Sequence, residues 1–238
     1  MINNMTDIHS HILHGTDDGP ETLSESIALL KVLEGTGVNR IASTSHYYSA
    51  VESVEEFTAL RSLRIAELEE CIKAEGMKIK IVPGAEVLMD RLILNRKDIS
   101  ELCYNGGKHI LLEIPHEDAD YGEYVGIIER IMSYYNVIPV VAHVERYPFF
   151  LKCLKNVEYI KDMGCMVQLD AQCFFDSFRM KHFGYTLLKK GLADVIASDC
   201  HDLELRVPNL HAAYDAVEKK MGKDTVELLK ANANEIIS

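Results

Sequence analysis

The sequence predicts an α/β protein whose parallel strands close into a distorted (β/α)7 barrel. Short apolar strands alternate with helices along the 238 residues, a pattern typical of parallel sheets. Polar side chains stand at the ends of nearly all the strands, whereas an open sheet concentrates its site near one switch point. Because no Ser-, Gly- or Pro-rich linker interrupts the alternation, residues 1–238 are predicted to form one domain.

The first predicted strand carries Thr6-Asp7-Ile8-His9-Ser10-His11. Asp7, His9 and His11 alternate, so a strand would turn all three side chains to one face. Two imidazoles about 7 Å apart along a strand can close on one metal ion with a carboxylate beside them. A His-x-His pair by itself is also common at a protein surface, so this strand alone does not decide between the two readings.

The remaining elements follow from the same two periodicities. Leu23, Ile27, Leu30 and Leu33 recur at three- and four-residue spacing and predict the first helix, over residues 21–37. The later predicted elements are, in chain order, strand 40–46, helix 51–76, strand 78–84, one helix within 92–102, strand 108–115, helix 121–135, strand 137–143, helix 149–163, strand 165–170, helix 179–190, strand 193–199, and helices 209–221 and 224–237.

Histidine and carboxylate side chains follow six of the seven strands, and the carboxyl ends of barrel strands converge on one mouth. These candidate metal ligands are His9, His11, His46, Glu86, Glu113, His143, Asp199 and His201. The set exceeds what one ion with an open position needs, and predicts two or three divalent cations bridged by carboxylate and hydroxide. Nitrogen and oxygen donors without thiolate suit Mn²⁺, Fe²⁺ or Zn²⁺. Glu113 has an alternative role as a buried carboxylate paired with Lys or Arg.

Two arginines follow the strand ends. Arg146 comes three residues after His143, and Arg206 comes five residues after His201. The planar guanidinium fork matches phosphate oxygens, so two such groups beside a metal cluster predict a phosphorylated substrate. The alternative is that each forms an ordinary ion pair, with Glu145 or Glu204.

Composition bounds the remaining possibilities. The chain has 37 acidic and 25 basic side chains and a formal charge of −12, which argues against a nucleic-acid track. No apolar run reaches the roughly 20 residues of a membrane span. The first residues lack the pattern of a signal peptide, so a cytoplasmic protein is expected.

The six cysteines show no metal-binding spacing and are predicted to be reduced. Cys200 is not followed by the phosphate-binding loop that a thiolate phosphatase needs. Five histidines are predicted to have no site role: His14, His109, His116, His182 and His211.

Taken in order, these segments resemble the polymerase and histidinol phosphatase (PHP) superfamily, and most closely the bacterial manganese-dependent tyrosine-protein phosphatases of capsular and exopolysaccharide operons. The resemblance covers residues 5–210. It rests on Thr6-Asp-Ile-His-Ser-His11, Asp17-Asp-Gly-Pro20, Thr44-Ser-His46, Pro83-Gly-Ala-Glu-Val87, Leu111-Leu-Glu-Ile-Pro115, Val140-Val-Ala-His-Val-Glu-Arg-Tyr147 and Ala197-Ser-Asp-Cys-His201.

The resemblance implies a trinuclear centre, with Mn²⁺ as the expected ion and Fe or Zn as alternatives. It assigns His9, His11, Glu86 and Asp199 to one ion, Glu86, Glu113 and His143 to the second, and Asp18, His46 and His201 to the third. Arg146 and Arg206 occupy the positions of phosphate-binding arginines. The implied substrate is the phosphorylated tyrosine tail of a membrane-associated kinase that governs polysaccharide export, hydrolysed by a metal-bridged hydroxide.

Two segments depart from the family pattern. Tyr47-Tyr48 follows His46 where relatives often carry a second His and basic residues, which leaves the substrate-side loop undefined. Asp170 lies in a more polar segment than expected, and is predicted to cap its loop rather than touch the cluster.

The alternative functions are a small-molecule phosphatase of the histidinol-phosphatase type, a metal-stabilised module that docks on a kinase without catalysis, and, less well supported, a nuclease.

Overall fold

The computed structural model describes residues 4–115 and 120–238. His116 therefore lies outside the described residues. The strands are β1 Met5–Asp7, β2 Val38–Ser43, β3 His46–Tyr47, β4 Lys80–Pro83, β5 Glu86–Leu88, β6 His109–Glu113, β7 Ile138–Val141, β8 Met166–Asp170 and β9 Val195–Ala197. The α-helices are α1 Leu23–Gly35, α2 Val54–Ala74, α3 Tyr121–Tyr135, α4 Pro148–Lys152, α5 Leu154–Asp162, α6 Phe178–Lys189, α7 Leu210–Met221 and α8 Lys223–Ile236.

All strand pairs in the described residues are parallel, in the orders β1-β2-β4 and β3-β5-β6-β7-β8-β9. Only two residues separate β2 from β3, and two separate β4 from β5, so each pair acts as one interrupted strand. A parallel bridge between Ser10 and Cys200 joins the segments that follow β1 and β9. The predicted distorted barrel, with helices around parallel strands, is confirmed.

The barrel interior is apolar below its mouth. Side chains two apart on a strand share a face, so Leu111 lies on the same face of β6 as Glu113. One buried apolar cluster contains the strand residues Ala42, Val82, Leu111, Val140 and Ala197, together with Ile8 just beyond β1. Ala233, Ile236 and Ile237 at the end of the chain belong to the same cluster. Packing therefore supports the polar side chains from below and leaves them gathered at one end.

Both long N-terminal helices begin later than predicted because a capping box sets their first turn. Thr22 Oγ1 accepts a hydrogen bond from Glu25 N at 3.3 Å, while Glu25 Oε2 accepts one from Thr22 N at 3.1 Å. Ser53 and Glu56 make the equivalent pair of bonds before α2. The helices consequently start at Leu23 and Val54, rather than at residues 21 and 51.

Two predicted helices are wrong in form. Residues 92–102 contain no α-helix but lie across short 3-10 helices, Arg91–Asn95 and Ser100–Leu102. Aspartate side chains accept the local backbone N–H groups there and compete with a continuous helix, as Asp98 Oδ1 does with Ser100 N at 2.9 Å. The helix predicted over 149–163 is divided into α4 and α5 because Cys153 has an extended backbone, with φ −141° and ψ 99°. No helix in the described parts of the chain has the length and apolarity needed to cross a membrane.

Candidate metal centre

The His-x-His segment lies just beyond its strand instead of within it. Strand β1 ends at Asp7, whose Oδ1 accepts hydrogen bonds from Ser198 N at 3.0 Å and His9 N at 3.4 Å. Asp7 is fully buried beneath the cluster, and burial raises its pKa to about 6. The prediction that His9 and His11 belong to the strand was therefore wrong by a few residues, although both side chains reach the barrel mouth.

All nine predicted metal ligands meet at the carboxyl ends of the strands. Eight of the nine form three groups, and within each group the ligand atoms lie within 4.8 Å of one another. The ninth, His143, adjoins them, with its Nε2 3.0 Å from Glu86 Oε1. The groups are His9, His11, Glu86 and Asp199; His46, Glu86 and Glu113; and His11, Asp18, His46 and His201. Side chains from both ends of the chain are thus brought to one buried cluster, which we call the nine-ligand cluster.

The first group matches the set that the family resemblance implies for one ion. His9 Nε2 lies 3.1 Å from Glu86 Oε2 and 3.1 Å from Asp199 Oδ1. His11 Nε2 lies 3.2 Å from the same Glu86 oxygen and 3.3 Å from the same Asp199 oxygen. Two imidazole nitrogens and two carboxylate oxygens therefore face one point, in a chemistry typical of a divalent transition-metal site.

The other two groups share ligands more widely than the implied sets do. His46 Nδ1 lies 3.1 Å from Glu86 Oε2 and 3.6 Å from Glu113 Oε2. His143 Nε2 approaches the opposite oxygens, 3.0 Å from Glu86 Oε1 and 3.8 Å from Glu113 Oε1. Glu86 is central to both contacts, as a bridging carboxylate would be, whereas the division of ligands among ions stays a prediction.

Asp18 connects the third group. Its Oδ1 lies 3.2 Å from His201 Nε2 and 3.6 Å from His46 Nε2. His11 joins this group as well as the first, and its ring stacks on that of His201 with 3.8 Å between centroids. The Asp18 side chain is 53% exposed, so this group lies at the open side of the cluster.

Partners outside the cluster fix the orientation of several imidazoles. His11 Nδ1 donates to Asp17 Oδ2 at 2.7 Å, and His9 Nδ1 lies 3.0 Å from Gln168 Oε1. His201 Nδ1 lies 2.8 Å from the backbone carbonyl oxygen of Asp199, two residues earlier in the chain. In each ring the second nitrogen then faces the cluster, which is the arrangement that metal-binding histidines usually have.

Sequence reasoning missed Asp17, Gln168 and Tyr147 as supports of the cluster. The adjacent acids Asp17 and Asp18 were a visible signal for the first, and the unexpectedly polar segment around Gln168 for the second. Tyr147 Oη lies 3.3 Å from His143 Nδ1 and accepts a hydrogen bond from Ile114 N at 3.0 Å. Nothing in the spacing of Tyr147 distinguishes it from a core aromatic residue.

Backbone strain is concentrated at two of the ligands. His143 and Asp199 have φ values of 31° and 50°, in the left-handed region that residues with a side chain rarely adopt. Each such residue costs on the order of 1 kcal/mol, and the surrounding structure must impose it. Each lies two residues beyond the end of its strand, β7 or β9, where the turn of the backbone directs its side chain into the barrel mouth.

The charges of the cluster suit cations. Burial opposes protonation of His9, yet the Glu86 and Asp199 carboxylates outweigh it and raise the His9 pKa to about 9. Burial and the Glu86 charge raise the pKa of Glu113 to about 8. Three buried atoms of the cluster also find no hydrogen-bond partner among the residues that the structure describes: His46 Nδ1, Asp199 Oδ1 and His201 Nε2. Buried carboxylates that carry negative charge, and ligand atoms whose lone pairs are not used in hydrogen bonds, are what a divalent cation binds.

The two predicted arginines line one small cavity beside the cluster. Arg146 pairs with Asp170 and Asp199, and Arg206 Nη2 lies 2.7 Å from Asp18 Oδ2. The cavity has a volume of about 80 Å³. Their carboxylate partners are thus not the Glu145 and Glu204 of the alternative interpretation.

Asp170 does more than cap its loop. Its Oδ1 accepts a hydrogen bond from Gln172 N at 2.8 Å, as predicted, while Oδ2 binds Arg146. Asp170 N in turn donates to Glu145 Oε1 at 2.9 Å. Because Arg146 also binds Asp199, Asp170 reaches the cluster through one guanidinium group.

The four described histidines that were predicted to have no site role stay outside the three groups. His14 Nε2 lies 3.0 Å from Glu67 Oε2, on the outer helix α2. His109, His182 and His211 are members of none of the groups found among the described residues. Cys200 is fully buried, and burial raises its thiol pKa, which suits a packing residue better than a nucleophile.

Comparison with known proteins identifies the family. Residues 5–238 match the family model described as capsular polysaccharide synthesis, CpsB/CapC. The chain belongs to the CpsB/CapC family. It is 34% identical to the tyrosine-protein phosphatase CpsB of Streptococcus pneumoniae, with 98% of each chain covered, and 26% identical to the tyrosine-protein phosphatase YwqE of Bacillus subtilis, with 96% of this chain and 90% of the relative covered.

Solved structures agree with this CpsB/CapC assignment. One match comes from the crystal structures of YwqE of Bacillus subtilis and CpsB of Streptococcus pneumoniae, which are metal-dependent tyrosine phosphatases. Its TM-score is 0.85 at 25% sequence identity, and the match covers 98% of this chain and 94% of that chain. A β-aspartyl dipeptidase of Fervidobacterium islandicum matches with a TM-score of 0.58 at 15% identity, covering 98% of this chain and 75% of that one, which shows the fold alone. The resemblance found in the motifs is confirmed.

Proposed function

We propose that this CpsB/CapC chain is a metal-dependent protein-tyrosine phosphatase. The observation that carries the proposal is the nine-ligand cluster with two arginines lining a cavity at its edge. Its CpsB relatives, 34% and 30% identical, are tyrosine-protein phosphatases. A cluster of nitrogen and oxygen donors beside two guanidinium groups suits hydrolysis of a phosphate monoester.

The roles of the side chains follow from their positions. The nine-ligand cluster would hold two or three divalent ions, with Mn²⁺ as our proposal for the native metal. Bound ions supply Lewis acidity and lower the pKa of coordinated water toward 7. Glu86 lies between His9, His11, His46 and His143 and would bridge neighbouring ions.

Arg146 and Arg206 would bind the phosphoryl oxygens. A guanidinium group has five N–H donors, so each arginine keeps donors free while it pairs with Asp199 or Asp18. Those carboxylates hold each fork at the cluster edge. Pre-positioned donors of this kind stabilise charge that develops on the phosphoryl group and on the departing phenolate.

We further propose that the enzyme acts in the cytoplasm on phosphotyrosine of a tyrosine kinase that controls polysaccharide synthesis. The CpsB/CapC family model is one of capsular polysaccharide synthesis, which supports a substrate in that process. The acidic chain, with a formal charge of −12, offers no comparable support for a nuclease.

Turnover by ligand variants tests the proposal. Glu113→Gln and His143→Ala should reduce hydrolysis of a phosphotyrosine peptide by at least a hundredfold, because each removes a donor from the cluster. Phosphate release is measured with Mn²⁺ present, and circular dichroism checks that the fold is retained. Glu70→Gln, at an exposed site on α2, is the matched control.

Two outcomes would count against the proposal. Full activity in either ligand variant would contradict the role of the cluster. Faster turnover of histidinol phosphate than of the phosphotyrosine peptide would favour a small-molecule phosphatase on the same site.

A further inference from the structure

The two tyrosines that depart from the family pattern have different environments. Tyr47 is fully buried and packs edge-on against Phe57, with 5.4 Å between ring centroids, so it is a core residue. Tyr48 is only half-buried, and its ring stacks on His46 at 5.4 Å with an interplanar angle of 23°. One residue of the pair therefore belongs to the apolar core, and the other lies against a histidine of the nine-ligand cluster.

Tyr48 is also distinct from the other tyrosine beside the cluster. Within residues 4–115 and 120–238, two tyrosine rings contact a cluster histidine: Tyr48 on His46, and Tyr147 on His143. Tyr147 is 1% exposed, and its hydroxyl accepts a hydrogen bond from Ile114 N. Tyr147 is thus closed to a ligand, whereas Tyr48 keeps part of its surface accessible.

The surroundings of Tyr48 define what it can bind. Its ring stacks on His46, whose Nδ1 lies 3.1 Å from Glu86 Oε2 and 3.6 Å from Glu113 Oε2. A phenol ring beside this carboxylate-rich cluster adds no positive charge for a phosphate group. It offers an aromatic face within the cluster's edge, and aromatic rings prefer other rings at centroid distances of about 4.5–7 Å.

We infer that Tyr48 forms an aromatic wall for the ring of the phosphorylated tyrosine. This inference rests on the proposed function, since it assumes that the phosphoryl group binds at the cluster and its arginines. The wall lies against His46 of the cluster, and contact with the ring of the substrate would favour aryl phosphates over alkyl phosphates. Tyr48 is therefore a specificity-determining residue for the reaction.

Binding of two phosphonates, measured by isothermal titration calorimetry, tests this without relying on turnover. Phenylphosphonate carries a ring and methylphosphonate does not, while both present the same anionic group. In the manganese-loaded protein, Tyr48→Leu should weaken phenylphosphonate binding about three- to tenfold and leave methylphosphonate binding unchanged. Tyr48→Phe keeps the ring and should restore phenylphosphonate binding.

Tyr134→Leu provides the matched control, because Tyr134 is 68% exposed on α3 and belongs to none of the metal-binding groups. Equal weakening of both phosphonates, with a lower bound-manganese content, would show that Tyr48 acts only by holding His46, and would overturn the inference. An unchanged phenylphosphonate constant in Tyr48→Leu would overturn it as well. If wild-type protein bound phenylphosphonate through Tyr48 yet hydrolysed no phosphotyrosine peptide, the proposed function would fail while the ring contact remained.

Discussion

Asp17 sets the orientation of two cluster side chains at once. Its Oδ2 accepts hydrogen bonds from His11 Nδ1 at 2.7 Å and from His46 N at 3.0 Å, and its Oδ1 accepts one from Gly19 N. Burial opposes the charge, but these partners prevail and lower the pKa of Asp17 to about 2. The carboxylate is therefore ionised at neutral pH, and its contribution to stability is lost only as the pH falls below about 4.

Asp17→Asn should weaken metal binding without removing a metal ligand. Asparagine has one uncharged acceptor oxygen, so its NH2 group must face either Gly19 N or the donors on His11 and His46, and the hold on the His11 ring is weakened. Loss of such outer partners typically costs about 10- to 100-fold in metal affinity. Titration of the metal-free protein with Mn²⁺ measures it, with Asp176→Asn at an exposed position as the control. Unchanged affinity would mean that Asp17 serves the loop alone.

At the scale of elements, the loop between β1 and α1 is held tightly against the cluster. A Cβ atom on Gly19 would lie 2.4 Å from the backbone oxygen of His11 and 3.1 Å from Asp17 Oδ1. The first contact is with a backbone atom, and relieving it would require the backbone of His11 to shift, at a cost in folding free energy. Glycine at this position therefore allows the loop to bring Asp17 and Asp18 to His11 and His201.

Gly19→Ala should consequently destabilise the protein by about 1–3 kcal/mol, as overpacking does in a filled core. Gly35→Ala is the matched control, because no atom lies within 4 Å of its added Cβ and alanine is the better helix former. Urea unfolding of the metal-free proteins compares the two variants. A loss of stability in Gly35→Ala equal to that in Gly19→Ala would contradict the steric explanation.

The elements that the sequence predicted well are those with strong periodicity. Helices α3 and α7 and strands β6 to β9 stand where apolar spacing placed them, because a buried face imposes its period on the sequence. The irregular 3-10 region at 91–106 depended on side-chain bonds such as that of Asp90 to Leu92 N, which no periodicity records. The outer partners of the cluster were hidden for a related reason: Gln168 meets His9 across 159 residues of sequence.

At the scale of the whole molecule, the cluster ties the barrel together. Its side chains lie on β3, β5 and β6 or just beyond β1, β7 and β9, so six of the nine strands in the described residues contribute to one site. Burying Glu86, Glu113 and Asp199 close to one another is costly unless cations neutralise them. Metal binding should therefore stabilise the entire fold rather than a local loop.

Removal of metal should lower the melting temperature accordingly. One site held at a free-ion concentration 100 times its Kd adds about 2.7 kcal/mol, which corresponds to roughly 5–10 °C for a chain of this size. Differential scanning calorimetry with EDTA, and again after Mn²⁺ is restored, measures the change. Identical melting curves in both conditions would contradict a cluster that binds ions in the folded state.

The bridge between Ser10 and Cys200 has a consequence for synthesis in the cell. Asp7 and Ser198, which sit beneath this junction and bond to each other, are 191 residues apart along the chain. A nascent chain on the ribosome carries its first two histidines long before Asp199 and His201 have been translated. Ion capture by the complete set must therefore await release of nearly the whole polypeptide, and prematurely terminated products would lack it.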